Sequence, residues 1–577
     1  MAAISSGVAF PAGSSDEPRP RPTVSTRVTS IRGSGPAGRE RLELSSRTGG
    51  GSGEGEPLAR PTEPPTNDPV RQACALDDEL LIRLWRGAFR GRSEELLWVP
   101  SYPNYHGSFY TPGHAGPWDY LQNVPLVLYG PKRIRPAGVL DRSAGIVDVY
   151  PTVGRLTGVD LAPRAGRVLW PAMKPRVAGV PKLVLVVVWD GVGRNVLQQW
   201  PNQWPTLRRL EAKGTSFVNA TVGSSPSNTP PIHATLGTGT FPRVHGVTGI
   251  KQRVELGDVG FAMDAGDPSM LRVTTFADQI DQAYGGASEM GMVGFSSWQL
   301  GMLGHGTGIV GGDADDLAML AEPGRVTGNG RYYDTPYYLK EFAGFEQHAR
   351  AVDRSDGRAD GQWRRHPVAG AHDNPAWVRY ENDIALTLMQ QEGYGADDIP
   401  DILLVNYKMA DVVGHRYWLD SIEARDVLRA QDRALGRLLS YLERSVGDYV
   451  VVVTADHGHT PPREETGGWP VDAAEASRYL DRHFKVPKRG SLVEDFSGAG
   501  LFLDMATARR IGVTQREMAR ALNQYTIRDS ARKKRLPSMY AQRGQEKVFS
   551  AVIPRRLLPQ VMECAFGAKQ PPPNLPA

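Results

Sequence analysis

The sequence predicts an α/β fold: a mainly parallel central sheet flanked by helices, with an inserted cap region. Three observations predict it. The runs Lys182 to Trp189, Asp401 to Asn406 and Tyr449 to Thr454 are apolar and largely β-branched, as strands buried on both faces must be, and each ends at a polar residue or motif. Between such runs apolar residues recur at helical spacing, near Pro205 to Lys213, Ala234 to Gly239, Asn382 to Glu392 and Ile422 to Arg444. Finally, 577 residues with 40% hydrophobic and 23% charged content can bury a large core.

In chain order, residues 1–75 are rich in Pro, Gly, Ser, Arg and Glu, with a glycine-rich stretch from Gly49 to Gly55 and almost no aromatic residues. Burial cannot offset the ordering entropy of such a segment, so it is predicted to be a disordered tail. Residues 76–577 are expected to form one domain: a first module at 78–170, a nucleophile module at 182–250, a cap-like insertion at 252–395, a second ligand module at 396–460 and an accessory segment at 461–566.

The formal charge of +4 is small and its basic residues are dispersed, which argues against nucleic acid as an obligate partner. Cys74 and Cys564, the two cysteines, cannot make a disulfide framework, and nothing demands an oxidising compartment. The first residues lack a basic region followed by an apolar run, so a cytoplasmic location is the default expectation unless a misplaced start hides a signal. The longest apolar run, Leu183 to Trp189, is too short to cross a bilayer, and no membrane partner is expected.

Ligands of open α/β sheets collect at the carboxyl ends of strands, so Asp190, the segment after Asn406 and Asp456-His457 should project into one crevice. Asp411 and His415 are four apart and would share one face of a helical turn. Thr229, in Ser227-Asn228-Thr229-Pro230-Pro231, stands at a helix start that would aim backbone N–H groups at an anion. Each motif alone has an ordinary explanation: Asp190 as a cap or turn residue, Asp411 and His415 as a solvated helix face, Thr229 as a turn. Together they supply hard carboxylate oxygens, imidazole nitrogens and a hydroxyl, a mixture that suits two divalent ions, zinc above all, clamping a phosphoryl group. Metal coordination would also make the Thr229 hydroxyl a competent nucleophile.

These motifs resemble the alkaline phosphatase superfamily, and within it the type I phosphodiesterases and nucleotide pyrophosphatases, over most of Asp77 to Phe566. The resemblance implies a two-zinc α/β core and a threonine that is transiently phosphorylated or nucleotidylated. It implies that Asp190, Thr229, Asp456 and His457 surround one metal, while Asp411 and His415 hold the other.

Relatives complete the second metal with a histidine near their C-terminus. Here the matching segment stands before the first core strand: Gly113-His114-Ala115-Gly116-Pro117, then Val124-Pro125-Leu126-Val127-Leu128-Tyr129-Gly130-Pro131 and Val147-Asp148-Val149-Tyr150-Pro151-Thr152. The chain therefore reads as circularly permuted, with His114 as the third ligand and Leu161 to Pro181 as the new connection. Permutation is tolerable because domain termini are commonly superficial and close together. The competing reading makes His114 a loop residue and lets His459 or His483 complete the site. His233 and His245 read as structural, and His106 and His305 as candidates for a pocket rim.

Relatives commonly carry an asparagine shortly after the His-Gly of the nucleophile module. Gly246-Val247-Thr248-Gly249-Ile250-Lys251 has none, so backbone groups or Lys251 would substitute. Monoester-specific relatives place Lys and Arg where this chain has Ser296-Ser297-Trp298-Gln299-Leu300. Trp298 and Leu300 cannot neutralise a dianion, but an aromatic ring can stack on a base or pack against a leaving group. The expectation is a phosphodiesterase or nucleotide pyrophosphatase acting on a small phosphorylated substrate, with Asn228, Lys251 and Trp298 as candidate substrate contacts. The alternative is a phosphomonoesterase or phosphonate hydrolase on the same scaffold; a sulfatase, lacking its nucleophile motif, and a non-catalytic binding protein rank lower.

Overall fold

The computed structural model describes residues 68–567 apart from 176, 255–256, 323–324, 369–372 and 533–534. Most of the expected tail, residues 1–67, lies outside the described residues. Its last part, read as disordered, is instead a helix, α1 (Pro69–Ala73). The Asp68 side chain accepts from the Val70 N–H, Pro69 supplies a preset φ in the first turn, and Ala73 is buried.

The elements that build the molecule follow in chain order: β1 (Leu96–Pro100), β2 (Leu126–Tyr129), β3 (Gly138–Gly145), β4 (Leu183–Trp189), β5 (Thr215–Thr221) and helix α2 (Thr229–Thr238). Then come β6 (Met290–Gly294), β7 (Asp316–Glu322), β8 (Arg325–Thr327), helix α3 (Pro375–Gln391), β9 (Asp401–Tyr407), and helices α4 (Met409–Tyr417) and α5 (Ile422–Tyr441). The last are β10 (Tyr449–Thr454), β11 (Val493–Phe496), β12 (Gly500–Leu503), β13 (Phe549–Pro554) and helix α6 (Leu558–Phe566).

Nine strands form the main sheet in the order β8-β7-β6-β9-β4-β10-β2-β5-β3. Its centre is parallel, with Asp401 opposite Leu183 through Tyr407 opposite Trp189 on one side, and Tyr449 opposite Leu183 through Thr454 opposite Val188 on the other. This shared register brings the carboxyl ends of β4, β9 and β10 level. Each of the three strands carries an unbroken apolar stretch, Leu183 to Trp189, Ile402 to Val405 and Tyr449 to Val453, because alternate residues serve two cores. Leu183, Leu185, Val187 and Trp189 join the core beneath α3 and α5, while Val184, Val186 and Val188 join the one that holds Ile232 and Leu236 of α2.

Two features depart from the sequence reading. Residues 252–395, read as an inserted cap, contribute β6, β7 and β8 to the main sheet, and their Met- and Ala-rich strands are poor in the β-branched signal that marks β4 and β10. Residues 461–566 close a second, antiparallel sheet, β11-β12-β1-β13, together with the amino-terminal β1.

Cys74, beside α1, and Cys564, in α6, form a disulfide with 5.8 Å between their Cα atoms, 490 residues apart in sequence. It spans an apolar cluster that includes Ala73, Leu97, Val99, Ile553 and Met562. A cross-link of this kind restricts the unfolded chain, so Cys74→Ser should lower stability by about 2–4 kcal/mol. Thermal melts with and without reductant check this; coincident melts of reduced and oxidised protein would rule it out. Among the described residues no helix is long and apolar enough to cross a membrane.

Candidate metal centre and nucleophile

Each central strand delivers one part of the site from its carboxyl end. Asp190 follows β4 directly, and its N–H donates to the Tyr407 carbonyl at 3.1 Å. Gly191 has φ +75°, and a Cβ there would meet the Asp411 Cα at 3.0 Å, so glycine is what lets the β4 turn pass beneath α4. The Gly191 N–H donates to Asp456 Oδ1 at 3.0 Å, tying the turn after β4 to the one after β10. Asp411 and His415 lie on α4, one turn apart.

Three imidazoles are oriented alike by backbone carbonyls. His114 Nδ1 faces the Ser227 carbonyl at 2.8 Å, His415 Nδ1 that of Pro112 at 2.6 Å, and His457 Nδ1 that of Gly458 at 3.0 Å. A carbonyl can only accept, so each Nδ1 carries a proton, and in the neutral ring Nε2 keeps the lone pair. Those Nε2 atoms converge on carboxylates. His114 Nε2 lies 3.2 Å from Asp411 Oδ1 and 3.1 Å from His415 Nε2; His457 Nε2 lies 3.2 Å from Asp456 Oδ2, 3.7 Å from Asp190 Oδ1 and 4.0 Å from Asp411 Oδ1. Asp411 Oδ1, Asp456 Oδ2 and His457 Nε2 are buried and have no hydrogen-bond partner. Lone pairs facing carboxylates in a dry interior repel unless a cation sits among them.

Electrostatics agree with that geometry. Burial drives the His114 imidazole well below its ordinary value and that of His415 down to about 4, so both are neutral, as ligands must be. Burial and the nearby Asp456 push Asp190 up to about 8. Burial would also raise Asp411, but Lys408 and the neighbouring imidazoles outweigh it and hold this carboxyl well below the usual range. Burial disfavours charge on His457, yet Asp456, Asp411 and Asp190 lift it to about 9, so a proton and a metal compete for its Nε2. Asp190, Asp411 and Asp456 crowd around one buried ammonium, Lys408, which cannot neutralise all three carboxylates once they are ionised. The donor set fits divalent ions.

Donor atoms of His114, Asp411 and His457 lie within 4.8 Å of one another, as do those of Asp411, His415 and His459, and of Asp190, His233 and Asp456. The structure thus gathers Asp190, Asp411, His415, Asp456, His457 and His114, and it also brings in His233, read as structural, and His459, read as the alternative to His114. His233 is spoken for: its Nδ1 donates to the Thr229 carbonyl at 2.8 Å and its Nε2 accepts from Asn406 Nδ2 at 2.8 Å. His459 Nε2 faces the Asp411 carbonyl at 3.3 Å, so it carries a proton and buttresses the ligand instead of offering a lone pair. His483 is exposed and meets the rings of Tyr479 and Phe484 at 5.6 and 4.8 Å between centroids. His245 accepts from the Val247 N–H and meets Thr235 Oγ1, and His305 pairs with Asp278 at 2.8 Å.

Thr229 opens α2, a wholly buried helix, and its hydroxyl is 2.9 Å from Lys408 Nζ. Pro230 and Pro231 carry no N–H, so the helix start offers an anion fewer donors than an ordinary first turn. The preceding Ser227 hydroxyl donates to the carbonyls of His114 and Gly116 at 2.6 and 3.0 Å, locking the loop before Thr229 to the 113–117 segment. Asn228 is buried as the N-cap of α2 and its side chain makes no cap bond. Lys251 is held by both carboxylate oxygens of Asp495 at 2.8 Å. Trp298 is half-buried in the turn after β6.

Lys408 and Asn406 went unnoticed in the sequence. Lys408 Nζ donates to Asp190 Oδ1, Asp411 Oδ2 and Thr229 Oγ1. The available signal was position: both flank the end of a strand already read as pointing into the crevice.

The sequence model of the type I phosphodiesterase / nucleotide pyrophosphatase family matches residues 184–551. The chain belongs to that family. Curated relatives include the alkaline phosphatase PafA of Elizabethkingia meningoseptica, 24% identical over 341 residues, which are 50% of this chain and 61% of that protein. The alkaline phosphatase PhoV of Synechococcus elongatus is 23% identical over 356 residues, with the same coverage of 50% and 61%. The chain therefore spans about 61% of the length of these family relatives. Among solved structures, wild-type PafA aligns with a TM-score of 0.46 at 16% identity, covering 65% of this chain and 85% of that one. Murine ectonucleotide pyrophosphatase / phosphodiesterase 5 aligns with a TM-score of 0.31 at 17% identity, covering 64% and 77%.

Proposed function

We propose that this family member is a two-metal phosphodiesterase or nucleotide pyrophosphatase in which Thr229 attacks phosphorus. One observation carries the reading: proton-free Nε2 atoms and unpartnered carboxylate oxygens converge beside the Thr229 hydroxyl. Asp190, Thr229, Asp456 and His457 would hold one ion, and Asp411, His415 and His114 the other; zinc suits this mixture of nitrogen and oxygen donors. Bound metals would supply charge that stabilises phosphoryl oxygens and acidifies a coordinated hydroxyl. The protein holds the threonine at the head of a rigid helix, keeps His114 and His415 neutral, and fixes every ligating ring through a carbonyl.

The absence of Lys or Arg from Ser296 to Leu300 favours an ester with one negative charge over a dianion. Bis-p-nitrophenyl phosphate should therefore be hydrolysed with at least about tenfold higher kcat/KM than p-nitrophenyl phosphate, an order of magnitude being about 1.4 kcal/mol of transition-state preference. Faster monoester turnover would favour the second reading, a phosphomonoesterase, to which the names of PafA and PhoV lend support.

The permuted order is part of the same proposal. The family match begins at residue 184, after the 78–170 module, as expected if the counterpart of that module stands at the other end of relatives. β2 of this module lies antiparallel between β10 and β5, inside the sheet rather than appended to it. The connection through residues 179–180 is pinned by Arg133, which donates to the Gly179 and Val180 carbonyls and forms a bidentate pair with Asp448. The disulfide supports an oxidising compartment over the cytoplasm.

A further inference from the structure

Lys408 stands between the end of β9 and the start of α4, 6% exposed, with its ammonium in the middle of the cluster. Its three N–H bonds have three acceptors: Asp190 Oδ1 at 2.9 Å, Asp411 Oδ2 at 2.8 Å and Thr229 Oγ1 at 2.9 Å. Asp190 belongs to the proposed nucleophile-side ligand set and Asp411 to the other, so one side chain bridges both halves and touches the reacting oxygen. A lysine kept only for structure would need no contact with Thr229, since the two carboxylates already neutralise it. An ammonium that donates to a hydroxyl oxygen stabilises that oxygen most when it is negatively charged.

We propose that Lys408 is a catalytic residue, a built-in cation that stabilises the Thr229 oxygen as attacking alkoxide in the first step and as leaving alkoxide in the second. The proposal rests on Thr229 being the nucleophile. In the first step the Oγ–P bond forms, the bond from phosphorus to the leaving oxygen breaks, and the leaving group takes the electron pair and, overall, the proton given up by Thr229. In the second step water adds its oxygen to phosphorus, the Oγ–P bond breaks, and one water proton restores the hydroxyl. Lys408 remains protonated throughout and exchanges nothing.

The two steps depend on it unequally. With bis-p-nitrophenyl phosphate the first leaving group is a stabilised phenolate, whereas the second is an aliphatic alkoxide that must take nearly a full charge. Loss of Lys408 should therefore make release from Thr229 limiting.

The experiment uses Lys408→Met, which keeps most of the side-chain volume, with Lys408→Ala as a second variant, both in the metal-loaded full chain. We expect wild-type metal content by elemental analysis, a steady rate lowered about 10²- to 10³-fold, the cost typical of losing one such donor, a burst of p-nitrophenolate near one per chain, and an aryl-phosphate adduct on Thr229 by peptide mass. Ethylammonium should partly restore the steady rate of Lys408→Ala. Steady turnover within a few-fold of wild type overturns the proposal. So does loss of bound metal together with activity and no adduct, which would make Lys408 a scaffold for the carboxylates. Thr229→Ala run in parallel separates the two readings: its continued turnover rejects the nucleophile assignment, whereas an inactive Thr229→Ala beside an unimpaired Lys408→Met rejects only the lysine.

Discussion

Thr229→Ala should turn over bis-p-nitrophenyl phosphate about 10³-fold or more slowly than wild type, with an unchanged thermal melt. The magnitude follows from removing the atom proposed to form the covalent bond, which neither a bound metal nor neighbouring groups can replace except with water. The unchanged melt follows from local structure. Pro230 and Pro231 fix the first turn of α2, Ser227 is bonded to the His114 and Gly116 carbonyls, and the helix is buried along its length, none of which needs the hydroxyl. Thr229→Ser keeps the oxygen and should retain most of the rate. Release of p-nitrophenolate with calorimetry on the same samples is the check, and an active alanine variant would reject the covalent route.

His114→Ala should lower bound metal to about one ion per chain, because it removes one of the ligands proposed for the Asp411 and His415 side and leaves the set proposed for the Asp190, Asp456 and His457 side complete. His459→Ala provides the contrast. Both rings approach Asp411 Oδ1, at 3.2 Å for His114 and 3.4 Å for His459. Only His114 has its Nδ1 committed to a carbonyl and a lone pair left to give; the His459 Nε2 proton is directed at a carbonyl. His459→Ala should keep two ions while weakening one, by about 10- to 100-fold in affinity, as expected when a supporting group is removed. Elemental analysis after dialysis against a metal buffer distinguishes the two. Equal metal content in wild type and His114→Ala would remove His114 from the site and weaken the permuted reading with it.

What could be read from the sequence was set by burial on two faces. Strands β4, β9 and β10 show by apolar stretches of four to seven residues because both sheet faces are covered, and α5 shows because one of its faces is wet. The polar residues that follow those strands could therefore be placed in one crevice. Lys408 could not, because a lone lysine after a strand ordinarily reaches water, and only the arrival of Asp190 from a distant segment beside Asp411, three residues on, makes its burial favourable. Strands β6 and β7, rich in Met, Ala and Gly, lack the β-branched signal, and their place in the sheet is decided by pairing, β6 with β9 and β7 with β6. The helix α1 is too short to show a period, and its order comes from the Asp68 cap and the cross-link beside it.

That cross-link makes the ordered domain a closed loop in the topological sense: a path can be traced through all of its strands and back through sulfur to its origin. In a ring, the point at which the polypeptide is cut is a matter of gene layout. A coding sequence opened within residues 161–181 and spliced by a short linker where Cys74 and Cys564 lie 5.8 Å apart would run in the order proposed for relatives, with every core strand left whole. The arrangement of the gene and the arrangement of the chemistry would then be separate inheritances, joined only by a bond between two sulfur atoms.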